Sequence, residues 1–321
     1  MRARALFLFS VGWAALVPLA FAQGPPDRGQ VKLGNLPNLL AGASRPARLF
    51  ALPTSAVLRS FEVSLSAGSS YGVANGGGTV ARASFGLGGV AEVEFSSAEV
   101  ANQMSGQTTR LPTRAFKMGL TPEWLRGRWY VPDVALQLCT SNWGELMRRG
   151  DYVAPDSRRM DAQGWRLTTA ALESRATTLY LVLGKQGAVA GVHVGLCLAD
   201  VRTRRGIQWL YNEATYTTTA VEIPELQKNI LGPAGGLTVA MNPRTHLMVE
   251  AGPVPEIRYL VEERAVAVRR VWRAVGGVRF FLGSWLSWDT GVRYQSNFAG
   301  IADARIEMSL NMILPLRRTR A

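Results

Sequence analysis

Apolar and polar residues alternate with a period of two along much of this chain. The clearest run lies near the C-terminus, where one parity carries Ile306, Met308, Leu310, Met312 and Leu314 and the other carries Arg305, Glu307, Ser309 and Asn311. An α-helix would not separate charge from apolarity in this way, because its side chains repeat every 3.6 residues. The run therefore predicts a β-strand with one apolar and one polar face.

Runs of the same kind recur along the chain. They cover residues 60–65, 81–87, 91–95, 113–120, 132–140, 176–184, 190–199, 234–242, 245–252, 270–282, 286–294 and 305–314. The connections alternate in length: those at 88–89, 121–131, 185–189, 243 and 283–285 are mostly short, and those at 67–78, 96–112, 141–175, 200–233, 253–269 and 295–304 are long. Short turns at one end and long loops at the other are typical of an outer-membrane β-barrel.

We therefore predict an all-β fold, an antiparallel transmembrane β-barrel of about 12 strands with both ends in the periplasm. The long turn at 121–131 and a further strand pair within 207–223 leave ten or fourteen strands as alternatives. A secreted, soluble β-sandwich is the rival fold, since strands with period two serve sandwiches as well.

The N-terminus predicts export. Arg2 and Arg4 precede an uncharged stretch that ends in Ala20-Phe21-Ala22, which is the pattern of a secretory signal cut before Gln23. An uncleaved anchor helix is the alternative. We expect a signal peptide at 1–22, a flexible periplasmic lead-in at 23–50, the barrel at 51–316 and a basic tail at 317–321, with the protein in the outer membrane.

Aromatic residues gather at two of the proposed periplasmic turns. Trp124, Trp129 and Tyr130 fall in one turn, and Trp285 and Trp288 lie at another. Amphipathic rings favour the membrane–water interface, so these residues are candidates for an aromatic girdle. The alternative is the general preference of aromatic residues for strands and turns.

Three stretches of the sequence carry a resemblance to a family. They run from Leu52-Pro53-Thr54 to Phe61-Glu62-Val63, from Phe85 to Val93, and over Pro132-Asp133-Val134-Ala135-Leu136. These stretches resemble a poorly characterised family of Gram-negative outer-membrane β-barrel proteins. The resemblance implies a barrel and its location, and it implies no substrate. One departure concerns the C-terminus, where the alternation ends at Leu314 or Leu316 before a basic tail instead of on a terminal aromatic residue.

The chain is strongly basic. Loss of Arg2 and Arg4 lowers its formal charge from +13 to +11. Arginines cluster in the proposed extracellular loops at Arg148, Arg149, Arg158, Arg159, Arg202, Arg204 and Arg205. They would bind an anionic surface such as lipopolysaccharide, because a guanidinium contacts phosphate in a bidentate way. The alternative is charge that only solubilises the loops. Nucleic-acid binding is not expected, since the chain has an export signal and no binding motif.

The inward parity is the candidate functional surface. Its charged and polar members are Glu62, Arg82, Glu92, Glu94, Lys117, Gln137, His193, Glu250, Arg273, Arg279, Asp289, Arg293, Arg305 and Glu307. Such groups either line a watery passage or pair across the lumen and close it. Because the arginines gather on the last three strands and Glu92 and Glu94 lie on the third, a transverse field is one hypothesis, and a salt-bridge network in a plugged barrel is the other.

The pattern favours a passive channel or transport-associated barrel for small polar or ionic solutes. A non-conducting structural or adhesive barrel is the alternative, and a barrel-embedded lipid hydrolase is the third. An enzyme is not expected, because His193 and His246 belong to no zinc-spacing motif or Ser-His-acid set. We expect no cofactor and no metal. Cys139 and Cys197 are predicted to lie two strand spacings apart, about 9 to 10 Å, which is too far for a disulfide.

Overall fold

A computed structural model describes residues 48–72, 77–102, 108–122, 124–125, 128, 130–147, 165–187, 189–212, 214–260, 265–298 and 300–316. Its strands are β1 (Glu62–Gly72), β2 (Gly77–Leu87), β3 (Ala91–Asn102), β4 (Thr108–Gly119), β5 (Asp133–Ser141), β6 (Gly144–Met147), β7 (Trp165–Gln186), β8 (Ala190–Asn212), β9 (Thr217–Ile223), β10 (Leu226–Asn242), β11 (Thr245–Leu260), β12 (Ala265–Phe281), β13 (Leu286–Gln295) and β14 (Arg305–Pro315). One 3-10 turn, Ile301–Asp303, precedes β14.

The strands form one closed antiparallel barrel. β1 pairs with β14 along its whole length, which joins the two ends of the sheet. β5 and β6 pair with successive parts of β7, and β9 and β10 pair with successive parts of β8. The fourteen segments of the sheet therefore make a barrel of 12 strands, as the alternation predicted. The suspected strand pair in 207–223 exists, but it extends an existing hairpin and adds no strand to the barrel.

The strands are longer than the alternation indicated. β7 has 22 residues and β8 has 23, whereas a strand needs 9–11 residues to cross a bilayer. At about 3.3 Å per residue these two strands are each about 70 Å long, so their outer halves project beyond the membrane. The predicted loops at 141–175 and 200–233 are therefore wrong as loops over much of their length.

A bulge keeps the inner face of β8 facing inward along this length. Arg205 has a positive φ of 49°. Before it the buried residues are odd-numbered, as at Val201 and Thr203, and after it they are even-numbered, as at Gln208 and Leu210. One extra residue in a strand reverses the side to which every later side chain points. A strict period of two cannot follow the strand past this point.

The barrel has the two faces expected in a membrane. Large apolar side chains are exposed on its outside, among them Val194, Leu196 and Leu198 on β8 and Leu310 on β14. Charged side chains are buried inside. A soluble sandwich would bury its apolar face, so the structure favours the transmembrane barrel. No helix among the described residues has the length and the hydropathy to cross a membrane.

Three of the proposed girdle residues, Trp124, Tyr130 and Trp285, lie at the end of the barrel that carries the short turns, which we call the turn end. Trp124 and Tyr130 are exposed in the connection between β4 and β5. Trp288 lies on the outer face of β13, with its ring centroid 5.8 Å from that of Phe280. Trp285 lies in the turn before β13, and Trp129 falls outside the described residues.

Residues 48–59, which we call the lumen segment, lie inside the barrel. The segment enters a tight turn in which the Leu49 amide donates to the Leu52 carbonyl at 3.1 Å. Arg48 and Pro53 face each other across this turn. Leu49, Leu52 and Leu58 are buried against the barrel wall. The end of the predicted lead-in and the beginning of the predicted barrel, before its first strand, therefore occupy the turn end of the lumen.

Glycines in the wall provide the space for this segment. A Cβ at Gly277 would lie 2.9 Å from Phe50 Cζ, and one at Gly291 would lie 2.8 Å from it. A Cβ at Gly236 would collide with Leu49. Because real side chains do not approach this closely, these wall positions accept only glycine while the lumen segment is in place.

The opposite end of the barrel, the loop end, is filled by apolar side chains. Seven strands contribute to this outer apolar cluster, which consists of Leu111, Ala170, Leu172, Ala176, Ala199, Val201, Ile223, Ile230, Ile257, Val266 and Val268. β3 and β11 lie on opposite sides of the barrel, and yet they pair in parallel at Ala101 with Glu256 and Asn102 with Ile257. The two walls therefore meet at the loop end.

Candidate functional site: a charged cavity within the lumen

A polar cavity of about 120 Å³ lies between the lumen segment and the outer apolar cluster. Its floor includes Phe50 and Ala51, and its upper wall includes Ala176 and Ala199. The cavity is formed because small residues occupy the inward positions of β1, where Ser66 and Gly68 stand. It is larger than a second cavity that lies beside Leu49 and Leu52. Charged residues of the predicted inward parity line it.

The structure places the predicted lumen residues at several heights along the barrel. Those that line the cavity are Arg82, Glu94, Gln137, Arg273, Arg293 and Glu307. Those below it, in contact with the lumen segment or beside such a contact, are Glu92, Lys117, Glu250, Arg279 and Asp289. His193 borders a small second cavity beside Leu49 and Leu52. Glu62 lies at the turn end, where it accepts the Arg59 amide at 2.9 Å. Arg305 lies near the Phe298 ring, 5.8 Å from its centroid.

Glu94 is shared between two guanidiniums. Arg48 Nε donates to Glu94 Oε2 at 2.7 Å, and Arg82 Nε lies 3.5 Å from Glu94 Oε1. Ser96 Oγ adds a hydrogen bond to Glu94 Oε1 at 2.6 Å. One buried carboxylate thus binds the lumen segment, through Arg48, to the wall of the cavity.

Glu250 binds the backbone of the lumen segment. The amide of Ala51 lies 3.1 and 3.0 Å from its two oxygens, and the amide of Leu52 donates at 3.0 Å. Arg273 Nη2 lies 3.5 Å from the same carboxylate. Two amides at the tip of a turn have no strand partner of their own, so a carboxylate in the wall satisfies them.

Arg279 and Asp289 form a buried, bidentate ion pair on the neighbouring strands β12 and β13. Nε and Nη2 of Arg279 lie 2.7 Å from Oδ1 and Oδ2 of Asp289. The same guanidinium donates to the carbonyls of Arg48 and Leu49, each at 3.3 Å. The pair therefore binds the carbonyls of the turn whose amides Glu250 binds.

Lys117 and Glu92 hold the second half of the lumen segment. Lys117 Nζ lies 3.4 Å from Glu92 Oε1 and also donates to the Ala56 carbonyl. The Leu58 amide donates to Glu92 Oε2 at 3.0 Å. This buried pair holds the segment near its exit. Glu94 and Arg279 hold its beginning, and Glu250 holds its tip.

The predicted lumen arginines on β12 and β13 each lie beside an acid. Arg293 pairs with Glu307 on the adjacent strand β14, Arg279 with Asp289 and Arg273 with Glu250. A transverse field requires arginines on one wall that lack nearby acids. Among the described residues the arrangement is closer to the predicted salt-bridge network in a plugged barrel.

Three of the arginines proposed to bind an anionic surface lie on a strand. Arg202, Arg204 and Arg205 belong to the outer half of β8, so their placement in a loop is wrong. Arg204 Nε lies 2.7 Å from Glu173 Oε2 and Arg205 Nη1 lies 3.1 Å from Oε1. The hydrogen bond from Arg204 is the main cause that lowers the pKa of Glu173. Arg148, Arg149, Arg158 and Arg159 lie outside the described residues.

The described histidines and cysteines lie in separate surroundings. His193 Nδ1 is buried without a hydrogen-bond partner, and Ser55 lies close to it across Gly184. His246 packs edge-on against Phe281, 4.8 Å between ring centroids. Cys139 and Cys197 are both free, with β7 between their strands. The described His, Cys, Asp and Glu side chains include no cluster suited to a metal.

Sequence reasoning missed Arg48 and the lumen segment. The stretch has no period of two, so the prediction divides it between the lead-in and the part of the barrel before the first strand. Its signal is the presence of Leu49, Leu52 and Leu58 in a stretch with no alternation. Tyr180 also lines the cavity. It was missed because the candidates on the inward parity were chosen by charge and strong polarity.

No family model matches the sequence, and no curated protein shows significant similarity to it. Solved structures show a similar architecture. The translocator domain of the autotransporter NalP from Neisseria meningitidis has a TM-score of 0.40 and 9% identity, with 78% of this chain and 85% of that chain covered. The P. putida toluene transporter TodX has a TM-score of 0.39 and 10% identity, with 86% and 94% covered. The CymD monoaromatic hydrocarbon channel has a TM-score of 0.35 and 8% identity, with 81% and 90% covered. The solutes in these names are those of the named proteins and are not assigned to this chain.

Proposed function

We propose that this protein is an outer-membrane channel for small polar or ionic solutes, described here in a closed state. The observation that carries the proposal is the charged cavity inside a barrel whose turn end is occupied by a segment of the chain itself. The backbone of that segment is bound largely by buried ionic side chains. Such contacts can be exchanged for water, so the segment is suited to move as a gate.

The proposed location follows from the same barrel. The signal at 1–22 would direct export and be removed, and the turn end would face the periplasm. Lipopolysaccharide is the proposed partner of the arginines at the loop end.

A second function is favoured by the outer apolar cluster. Because this cluster fills the loop end, a barrel that never opens would also have this structure, and it would serve as a structural or adhesive protein. The two functions differ in one measurable property, which is ion conductance across a bilayer.

Glu250→Gln is expected to open the channel. The change keeps the size of the side chain and weakens its hydrogen bonds to Ala51 and Leu52, and bonds to a charged group each contribute about 1.5 to 3 kcal/mol. Since about 1.4 kcal/mol is a tenfold change in an equilibrium, the open fraction should rise about 10- to 100-fold. Single-channel recording in planar bilayers measures it.

Glu307→Gln is the matched control. It removes the same charge from the lumen, and its ion pair is with Arg293 on the neighbouring strand β13. We expect a smaller rise in open fraction from it. If folded wild type and Glu250→Gln are both silent under voltage, the channel proposal fails and the non-conducting barrel is supported.

A further inference from the structure

We propose that the cavity is a binding site for a small oxyanion of the phosphate class and that it sets the solute preference of the channel. The second part of this inference rests on the proposed function, whereas binding itself does not. The argument uses the charge of the cavity, the chemistry of its lining and its size.

The cavity carries an excess of positive charge. Arg48, Arg82, Arg273 and Arg293 line it, together with the carboxylates of Glu94 and Glu307. Glu250 reaches Arg273 from below. Among the residues that the structure describes, four guanidiniums therefore meet three carboxylates, an excess of one positive charge inside the barrel. Such a charge is costly to bury unless an anion accompanies it.

The carboxylates beside the cavity are shared among several donors. Glu94 lies beside Arg48 and Arg82 and accepts a hydrogen bond from Ser96. Glu250 accepts from two backbone amides and lies 3.5 Å from Arg273. Neither carboxylate is therefore reserved for a single guanidinium.

The uncharged lining suits an oxyanion as well. Hydroxyl groups surround the cavity, on Ser66, Ser69, Ser96, Ser97, Thr178, Tyr180 and Ser309. The Gln137 side chain also lines it, is 3% exposed, and has an amide oxygen with no hydrogen-bond partner. A buried polar atom without a partner indicates a missing one, and a protonated oxygen of phosphate would donate to it. Guanidiniums and hydroxyls together are the usual ligands of phosphate.

The size of the cavity agrees. One water needs about 10 to 15 Å³ measured in this way, so 120 Å³ accommodates about ten water-sized molecules. A tetrahedral oxyanion with a few waters fits into this space.

The two native cysteines allow a direct test. Cys139 and Cys197 are the two cysteines of the chain and both line the cavity. Methanethiosulfonate reagents form a mixed disulfide with a thiolate and release methanesulfinate, so the rate of modification reports access to the cavity. The probes are the anionic sulfonatoethyl and the cationic trimethylammonioethyl reagents, applied to the full chain in detergent and scaled to their rates with a free thiol.

We expect the anionic reagent to react at Cys139 at least about tenfold faster than the cationic one after scaling, since the reagents differ by two charges beside a positive site. Inorganic phosphate should slow both reactions and should bind to the purified protein in equilibrium dialysis. Arg82→Gln combined with Arg273→Gln should reduce the preference and abolish phosphate binding. Arg244→Gln, in the exposed turn between β10 and β11, is the control and should change neither.

Glu307→Gln keeps the test valid if the double variant does not fold, because it increases the positive excess and should strengthen phosphate binding. Cys139→Ser identifies the share of Cys197 in the labelling. The absence of phosphate binding to the folded wild type, or an equal rate for the two reagents, overturns the oxyanion site. Phosphate binding to a barrel that never conducts supports the site and rejects the channel. Conductance without phosphate binding does the reverse.

Discussion

Arg279→Met is expected to lower the free energy of unfolding by about 3 to 5 kcal/mol, the cost of removing one partner from a buried ion pair. Asp289 would remain in the lumen wall as an uncompensated charge, 1% exposed. The carbonyls of Arg48 and Leu49 would lose the same donor. Urea unfolding of the barrel in lipid vesicles, followed by tryptophan fluorescence, measures the loss.

Two controls separate the ionic effect from a loss of packing. Arg279→Met combined with Asp289→Leu removes both charges and should recover a large part of the stability, since a buried pair is often replaceable by apolar residues. Arg202→Met breaks an ion pair with Asp200 that is half exposed, and it should cost at most about 1 kcal/mol. A loss for Arg279→Met no larger than that for Arg202→Met would contradict the role given to this pair.

Leu310→Arg is expected to lower the stability by about 2 to 4 kcal/mol. Leu310 is 43% exposed on the outer face of β14 and lies opposite Trp288, midway along the strand. A charge at this depth faces hydrocarbon, whereas inversion of a single lumen charge faces other polar groups and should cost less. Unfolding in lipid vesicles and the yield of heat-modifiable folded protein on a gel report both effects.

Leu316→Arg is the matched control for this prediction. Leu316 is exposed directly after β14, at the turn end, where the same substitution meets the interface and should cost about 0 to 1 kcal/mol. Equal losses at 310 and 316 would show that the outer face of the barrel does not face lipid, and they would revive the soluble sandwich.

We expect the charged residues in the lumen to have two separate roles. Arg279 with Asp289, and Lys117 with Glu92, are compact pairs that hold the lumen segment. Arg82, Arg273 and Arg293 stand around the cavity with fewer acids than bases. The first group is expected to determine stability and opening. The second is proposed to determine which ions enter.

The period of two was enough to predict the barrel. On β14 and on β5 it separates the outward Leu310 and Leu138 from the inward Asn311 and Gln137, and a strand exposes its two faces to different surroundings for purely local geometric reasons. It also placed the charged residues of the lumen on the inner face. What it could not show is which acid each base contacts, because that depends on the register between strands.

The sequence by itself determined the barrel and its two faces and limited the number of strands to ten, twelve or fourteen, since these follow from an alternation that each strand carries alone. The tertiary structure decided the rest. The bulge at Arg205 shifts the parity of β8 midway, the lumen segment has no period and is held by contacts nearly 200 residues away at Glu250, and the outer apolar cluster assembles from seven strands. Each of these features depends on contacts between distant parts of the chain, and a local pattern carries no information about such contacts.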